Sequence, residues 1–340
     1  MDHTGRGVGG GLLAPETIGA VLHILLVTFP FFALVLAGYV AARRRMLPLE
    51  AIPGLNGFVL FFALPCMLYR FGSTTPIAQL LDAWVAGLYL LCGLVVVAVT
   101  IAFTLNARTR WNDAALGALV AAFPNSGFMG VPLIVALLGA SAAGTVILTM
   151  VVDMVITSSL CIALSRLDDA QGNGRSAVFD AGRKALRGVL TNPMPWAIIL
   201  GGVASAWAFT LPKPLEQTVW LLADSASPVA LFTIGAVLAR AQMTANRPMP
   251  LADYVPVAVM KLFVHPLMVL AVGSLAIRAG APLAPSALTV MVLAAALPSA
   301  SNVSLLAERF GADNGRIARI ILVTTAVAFF TFSGAVTLLT

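Results

Sequence analysis

Long apolar runs separated by short polar connections dominate this chain, and they predict membrane-spanning helices. About 20 apolar residues in a helix cross the hydrocarbon of a bilayer. Runs of that kind lie at 17–42, 54–71, 83–105, 113–138, 144–166, 192–211, 215–240, 253–278, 286–309 and 316–339. The expectation is an all-α integral membrane protein of ten spans, with no extramembrane domain. Residues 1–16 form a glycine-rich polar tail without the basic start, apolar core and cleavage site of a signal peptide. The longest connection, 167–191, carries Asp168, Asp169, Arg175, Asp180, Arg183, Lys184 and Arg187. It divides a first set of five spans, 17–166, from a second, 192–340.

Composition agrees with this pattern. Of 340 residues, 60% are hydrophobic and 10% charged, and the mean hydropathy is +0.97. Soluble domains carry about 25% charged residues. The formal net charge of +6 belongs to the loops and implies no nucleic-acid partner. With the N-terminus outside, the inward loops hold fifteen arginines and lysines, from Arg43, Arg44 and Arg45 to Arg316 and Arg319. The outward loops hold only Arg6, Arg70, Lys213 and Arg278. That bias follows the positive-inside rule and places both termini on the non-cytoplasmic side. Five spans per half then force the two halves into opposite orientations.

The halves also share their irregularities. Pro65 in the second span answers Pro228 in the seventh. The fourth span is interrupted by Phe123-Pro124-Asn125-Ser126-Gly127, and the ninth by Leu297-Pro298-Ser299-Ala300-Ser301-Asn302. Proline removes an amide donor and clashes with the preceding turn, and glycine loosens the backbone beside it. Backbone groups freed in this way cannot stay unpaired in hydrocarbon, so such breaks survive where they line a cavity or are buried in protein. Paired breaks in corresponding positions of two halves point to the binding site of a secondary transporter. Pro124, Asn125, Ser126, Gly127, Pro298, Ser299, Ser301 and Asn302 are therefore the candidate substrate-binding residues. A kinked helix with a bridging asparagine is the plainer alternative for the fourth span.

Charges within spans are expensive, about 2.5–3.5 kcal/mol at a helix centre on translocon scales. Asp153 lies in the middle of the fifth span and Lys261 well inside the eighth, with His265 one turn further on. We expect Asp153 and Lys261 to approach the breaks, as a proton-titrating pair or as a fixed ion pair; His265 is either an ion-coupling partner or a satisfied structural residue. Asp224 is ambiguous, placed either near the start of the seventh span or deep within it. Trp84, Trp111, Trp196, Trp207 and Trp220 fall near span ends, as interface anchors do. Cys66, Cys92 and Cys161 sit inside apolar runs at no metal-ligand spacing. No phosphate-binding glycine loop, metal cluster or carboxylate pair appears, so neither an enzyme, a cofactor nor an ATP-driven pump is expected.

The motifs Asn125-Ser126-Gly127-Phe128-Met129-Gly130-Val131-Pro132-Leu133, Ser227-Pro228-Val229-Ala230-Leu231-Phe232-Thr233-Ile234-Gly235, Lys261-Leu262-Phe263-Val264-His265-Pro266-Leu267 and Ala296-Leu297-Pro298-Ser299-Ala300-Ser301-Asn302, in that order, resemble the auxin efflux carrier family across nearly the whole chain. The resemblance implies a 5+5 inverted repeat with crossed broken helices, akin to bile-acid and sodium/proton transporters. Helices 1, 2, 6 and 7 would form a scaffold, and helices 3–5 and 8–10 a transport domain that moves like an elevator. It further implies a small organic anion as substrate (auxin in plants, malonate or malate in bacteria), an inner-membrane location and homodimers. Asn125 and Asn302 would be the motif asparagines. Proton or potential coupling is the expectation. Sodium coupling through the serines and freed carbonyls of the ninth span is the alternative, and a non-transporting sensor or channel is a more distant one.

Overall fold

The computed structural model describes residues 15–106, 109–167, 193–244 and 249–340. The tail 1–14, the connection 168–192, Arg108 and Arg247 lie outside the described residues. Among the described residues the chain is helical, with no β-strand. The first half comprises α1 (Pro15–Arg43), α2 (Leu49–Thr74), α3 (Ala83–Thr104), α4 (Trp111–Ala122), α5 (Ser126–Leu138) and α6 (Ala140–Leu164). The second comprises α7 (Pro193–Ala206), α8 (Lys213–Thr244), α9 (Val255–Arg278), α10 (Pro285–Ala296), α11 (Asn302–Phe310) and α12 (Asn314–Leu339). Among the described residues seven helices are long and apolar enough to cross a bilayer, and Ser126–Leu138, Pro193–Ala206 and Pro285–Ala296 are shorter apolar helices at the other expected spans.

Local chemistry sets the ends. The Asp82 carboxylate accepts from the amides of Trp84 and Val85, both at 3.0 Å, and so caps α3. Asp313 caps α12 through the Arg316 amide at 3.0 Å. Gly139 (φ 87°) and Gly311 (φ 71°) stop α5 and α11 in conformations that side chains other than glycine rarely adopt.

Prolines inside the spans are absorbed by widening the helix. Wide i→i+5 turns occupy Val59–Ala63, Ser126–Gly130 and Met260–Val264. Each comes just before a proline, Pro65, Pro132 or Pro266. Because proline offers no N–H to the ladder, a turn with one extra residue relieves the mismatch. Asp153–Thr157 is a fourth such turn with no proline after it, and it begins at the buried carboxylate. Pro228, by contrast, lies within continuous α8.

Two glycine contacts bring helices together at backbone distance. A methyl group on Gly38 would stand 1.8 Å from the Phe232 carbonyl oxygen, and one on Gly235 would stand 1.8 Å from that of Val35. This seats α1 on α8. Gly72 and Gly201 do the same for α2 on α7: a methyl on Gly201 would meet the Tyr69 carbonyl oxygen at 2.6 Å. Without a hydrophobic drive between helices in lipid, such small-residue contacts let dispersion and close approach hold them. Gly38 to Gly201, Gly72 to Gly235 and Pro65 to Pro228 share one sequence offset.

The interior belongs to the interrupted segments. Every residue from Ala114 to Ala122 is buried, as is every residue from Val290 to Ala300. Alanines predominate at their inner ends, which lets neighbours pack tightly. The large apolar side chains of α1, among them Leu22, Leu26, Phe29 and Leu36, are exposed, as a lipid-facing helix requires. Asp224, ambiguous in the sequence, pairs with Arg70 at 2.6 Å, with the two side chains 67% and 24% exposed. An exposed pair of this kind is worth about 0–1 kcal/mol.

Candidate functional site

The two breaks meet. Phe123–Asn125 and Pro298–Ala300 lie antiparallel and form a minimal β-bridge between Pro124 and Ser299. The Asn125 amide donates to the Pro298 carbonyl at 2.8 Å, and the Ala300 amide donates to the Phe123 carbonyl at 2.9 Å. Two backbone groups from each break are thereby satisfied inside the protein. The bridge also sets a register: Phe123 corresponds to Pro298, Asn125 to Ala300, Gly127 to Asn302 and Val120 to Ala295. Asn125 and Asn302 are thus not equivalent positions; each faces the common centre from its own side.

The carbonyl ends of α4 and α10 are completed differently. Pro124 has no amide to return to Val120, and the Ser299 hydroxyl donates there instead at 2.7 Å. The corresponding Ala295 carbonyl loses its donor because the Ser299 amide turns to the Thr324 hydroxyl at 3.3 Å. Lys261 Nζ takes that place, donating to Ala295 at 2.7 Å. At the other end of the break, the Asn125 carbonyl accepts from the Met129 and Gly130 amides at 3.1 and 3.0 Å.

A narrow cleft of about 20 Å³ opens beside the bridge, lined by Phe123, Pro124, Asn125, Gly127, Phe128, Ala300 and Asn302 together with Leu64, Met150, Met154 and Met194. The first turn of α5 and the first residue of α11 are therefore on its wall, and helix starts carry partial positive charge. Asn302 Oδ1 has no hydrogen-bond partner, and its amide can turn either an acceptor or donors toward a ligand. Of the sequence candidates, Pro124, Asn125, Gly127 and Asn302 line the cleft. Pro298 and Ser299 are used by the bridge and the carbonyl cap. Ser126 is fully buried with an unpartnered hydroxyl, and Ser301 precedes α11 without capping it.

The methionines and Leu64 escaped the sequence reading. Met150, Met154 and Met194 sit in ordinary apolar runs, and nothing local separates a methionine facing a cleft from one facing lipid. Met154 also lines a wider apolar groove of about 450 Å³ between α6 and α7, with Ile147, Val151, Trp196 and Ile199.

Asp153, Lys261 and His265 are completely buried but do not line the cleft. They belong to a polar cluster behind it. Tyr89 of α3 donates to Asp153 Oδ2 and Thr157 donates to Oδ1, both at 3.2 Å. The Ser158 hydroxyl donates to the Asp153 backbone carbonyl at 2.9 Å. Lys261 Nζ lies 3.4 Å from His265 Nδ1, and the His265 ring packs 5.8 Å from that of Tyr89. The wide turn Met260–Val264 stacks Lys261 and His265 on one face. Asp153 and Lys261 make no ion pair within 4.0 Å; each is held by neutral partners while lying in the other's field.

A family profile described as "Membrane transport protein" matches residues 23–336. Over 308 residues the chain is 29% identical to a Rhizobium meliloti (strain 1021) protein named "Putative malonate transporter", covering 90% of this chain and 92% of that one. Over 286 residues it is 26% identical to "Uncharacterized transporter YfdV" of Escherichia coli (strain K12), covering 83% and 86% respectively. An "Uncharacterized transporter" of Methanothermobacter thermautotrophicus is 24% identical over 302 residues, 87% of this chain and 91% of its own length.

Proposed function

This chain belongs to the family of membrane transport proteins, and on that premise we propose that it is a secondary active carrier of a small organic anion, a mono- or dicarboxylate, in a cell's inner membrane. The observation that carries this reading is the cleft at the joined breaks. It brings together the amide starts of α5 and α11, Asn125 and Asn302. Exposed amides at a helix start favour a carboxylate. The room inside the cleft, about 20 Å³, is about that of a single water, so admitting a carboxylate requires the cleft to widen, as alternating access would do. The name of the Rhizobium relative points to a carboxylate as well.

The architecture we propose is the 5+5 inverted repeat, with the interrupted fourth and ninth spans crossing at the bridge. The common offset of the glycine contacts, the bridge register and the two positive-φ glycines Gly139 and Gly311 support it. α1, α2, α7 and α8 then form the scaffold, and the remaining helices carry the cleft past it in an elevator-like stroke. Coupling to protons is assigned to the buried cluster of Asp153, Lys261 and His265. A carboxylate held by neutral hydroxyls can give up and regain a proton without breaking an ion pair.

Proteoliposome uptake tests the proposal. Radiolabelled malonate, malate and related monocarboxylates are offered with and without an imposed proton gradient. At least one should accumulate with the gradient. Asn125→Ala and Asn302→Ala should each lower its uptake roughly tenfold to a hundredfold, the worth of one or two hydrogen bonds to a charged group. Asp153→Asn should remove the response to the gradient. Uptake of no carboxylate, or full uptake by both asparagine variants, would refute the reading.

A further inference from the structure

We infer that Lys261 is the resident cation of the carbonyl end of α10, a tethered replacement for an inorganic ion, so that this protein neither binds nor needs sodium there. The argument starts from the bridge register. Val120 and Ala295 are corresponding carbonyls, each deprived of its usual helical donor because the chain breaks beyond it. In the first half the donor is a hydroxyl, that of Ser299. The residue corresponding to Ser299 is Pro124, which has neither a hydroxyl nor an amide hydrogen to offer. The Ala295 carbonyl is thus orphaned by sequence, in a fully buried position, at the negative end of a helix. Bare carbonyls at such an end are the kind of group that coordinates a monovalent cation in carriers with broken helices.

Lys261 fills this gap at 2.7 Å from Ala295. The wide turn before Pro266 aims its side chain inward. The groups facing it are His265 Nδ1 at 3.4 Å and, from α6, the Asp153 carboxylate, already occupied by Tyr89 and Thr157. A bare helix-end carbonyl with a buried carboxylate in its field offers the oxygen chemistry that attracts a small hard cation. Here a side chain already stands at that carbonyl. The ammonium carries the charge that would otherwise have to arrive with each cycle, and it does not leave with the substrate.

The inference bears on which ion drives the carrier proposed above and rests on that reading only in its flux arm. The purified full-length protein is melted in sodium chloride and in choline chloride at equal ionic strength. Wild type should melt at the same temperature in both, and a sodium gradient alone should drive no uptake in proteoliposomes. Lys261→Ala should melt several degrees lower in choline and regain part of that loss in sodium. Should this variant fail to fold, the double variant Pro124→Ser/Lys261→Ala, which supplies the hydroxyl donor of the other half, should recover folded protein. Sodium-specific stabilisation of wild type, sodium-driven uptake, a Lys261→Ala variant indifferent to sodium, or failure of both variants to fold would each overturn the inference. Failure of every carboxylate to be transported leaves the melting comparison intact, so the two readings fail separately.

Discussion

At the scale of single residues, the centre of this protein is governed by the need to pair every backbone group freed by proline. Pro124 and Pro298 each delete a donor: the Ser299 hydroxyl answers Val120 from far away in the chain, and the Leu297 amide answers Ala294 from the same turn at 3.3 Å. In hydrocarbon no water stands by to make good a lost bond. Ser299→Ala should therefore cost about 1–3 kcal/mol, the penalty for leaving a buried acceptor unpaired. That cost should appear as a lowered melting temperature of the purified protein. An unchanged melting temperature would mean that the Val120 carbonyl finds another donor. The candidate residues at the breaks were legible in the sequence, because proline, glycine and asparagine inside an apolar run leave few readings. Their hydrogen-bond partners were not: Ser299, a substrate-binding candidate in the sequence, donates its hydroxyl to the Val120 carbonyl.

Between elements, the closest backbone approaches rest on small residues. Gly38 and Gly235 hold α1 to α8, and Gly72 and Gly201 hold α2 to α7. Replacing Gly38 by leucine would drive a side chain into the Phe232 carbonyl, and overpacking of this kind costs roughly 1–3 kcal/mol or more. Gly54, with nothing within 4 Å of an added methyl, is the matched control, and Gly54→Ala should be neutral. Thermal unfolding of both variants in detergent provides the comparison; equal melting temperatures would show that the helices can part without loss. The wide turns obey a related logic. Pro65, Pro132 and Pro266 announce irregular helix in the sequence, but only the fold reveals that the irregularity is an extra residue in the turn rather than a kink.

For the whole molecule, the proposed stroke requires the helices bearing the cleft to slip past the scaffold. One contact spans that boundary at the site itself: the Ser227 hydroxyl of α8 donates to the Phe128 carbonyl of α5 at 3.4 Å. Cysteines at 227 and 128, in a background without Cys66, Cys92 and Cys161, should form a disulfide on oxidation that stops transport, with recovery on reduction. Undiminished uptake by the cross-linked protein would exclude sliding at this boundary. The expected homodimer and the expected inward orientation of the loop at Arg43–Arg45 belong to the same scale. The linker that separates the halves lies outside the described residues.

The chain alone determined that this protein lives in a bilayer, roughly where its helices run, and where two of them come apart. Hydropathy is a sum of transfer free energies, residue by residue, and proline acts on its own turn, so both can be read locally. Tertiary structure decided which freed carbonyl meets which donor, that Asp153 and Lys261 are neighbours without being a pair, and that Met150, Met154 and Met194 face a cleft rather than lipid. A buried polar group takes whatever partner the packing brings within about 3 Å. For the Val120 carbonyl that partner, Ser299, stands 179 residues away along the chain, a separation over which no periodicity or motif carries information.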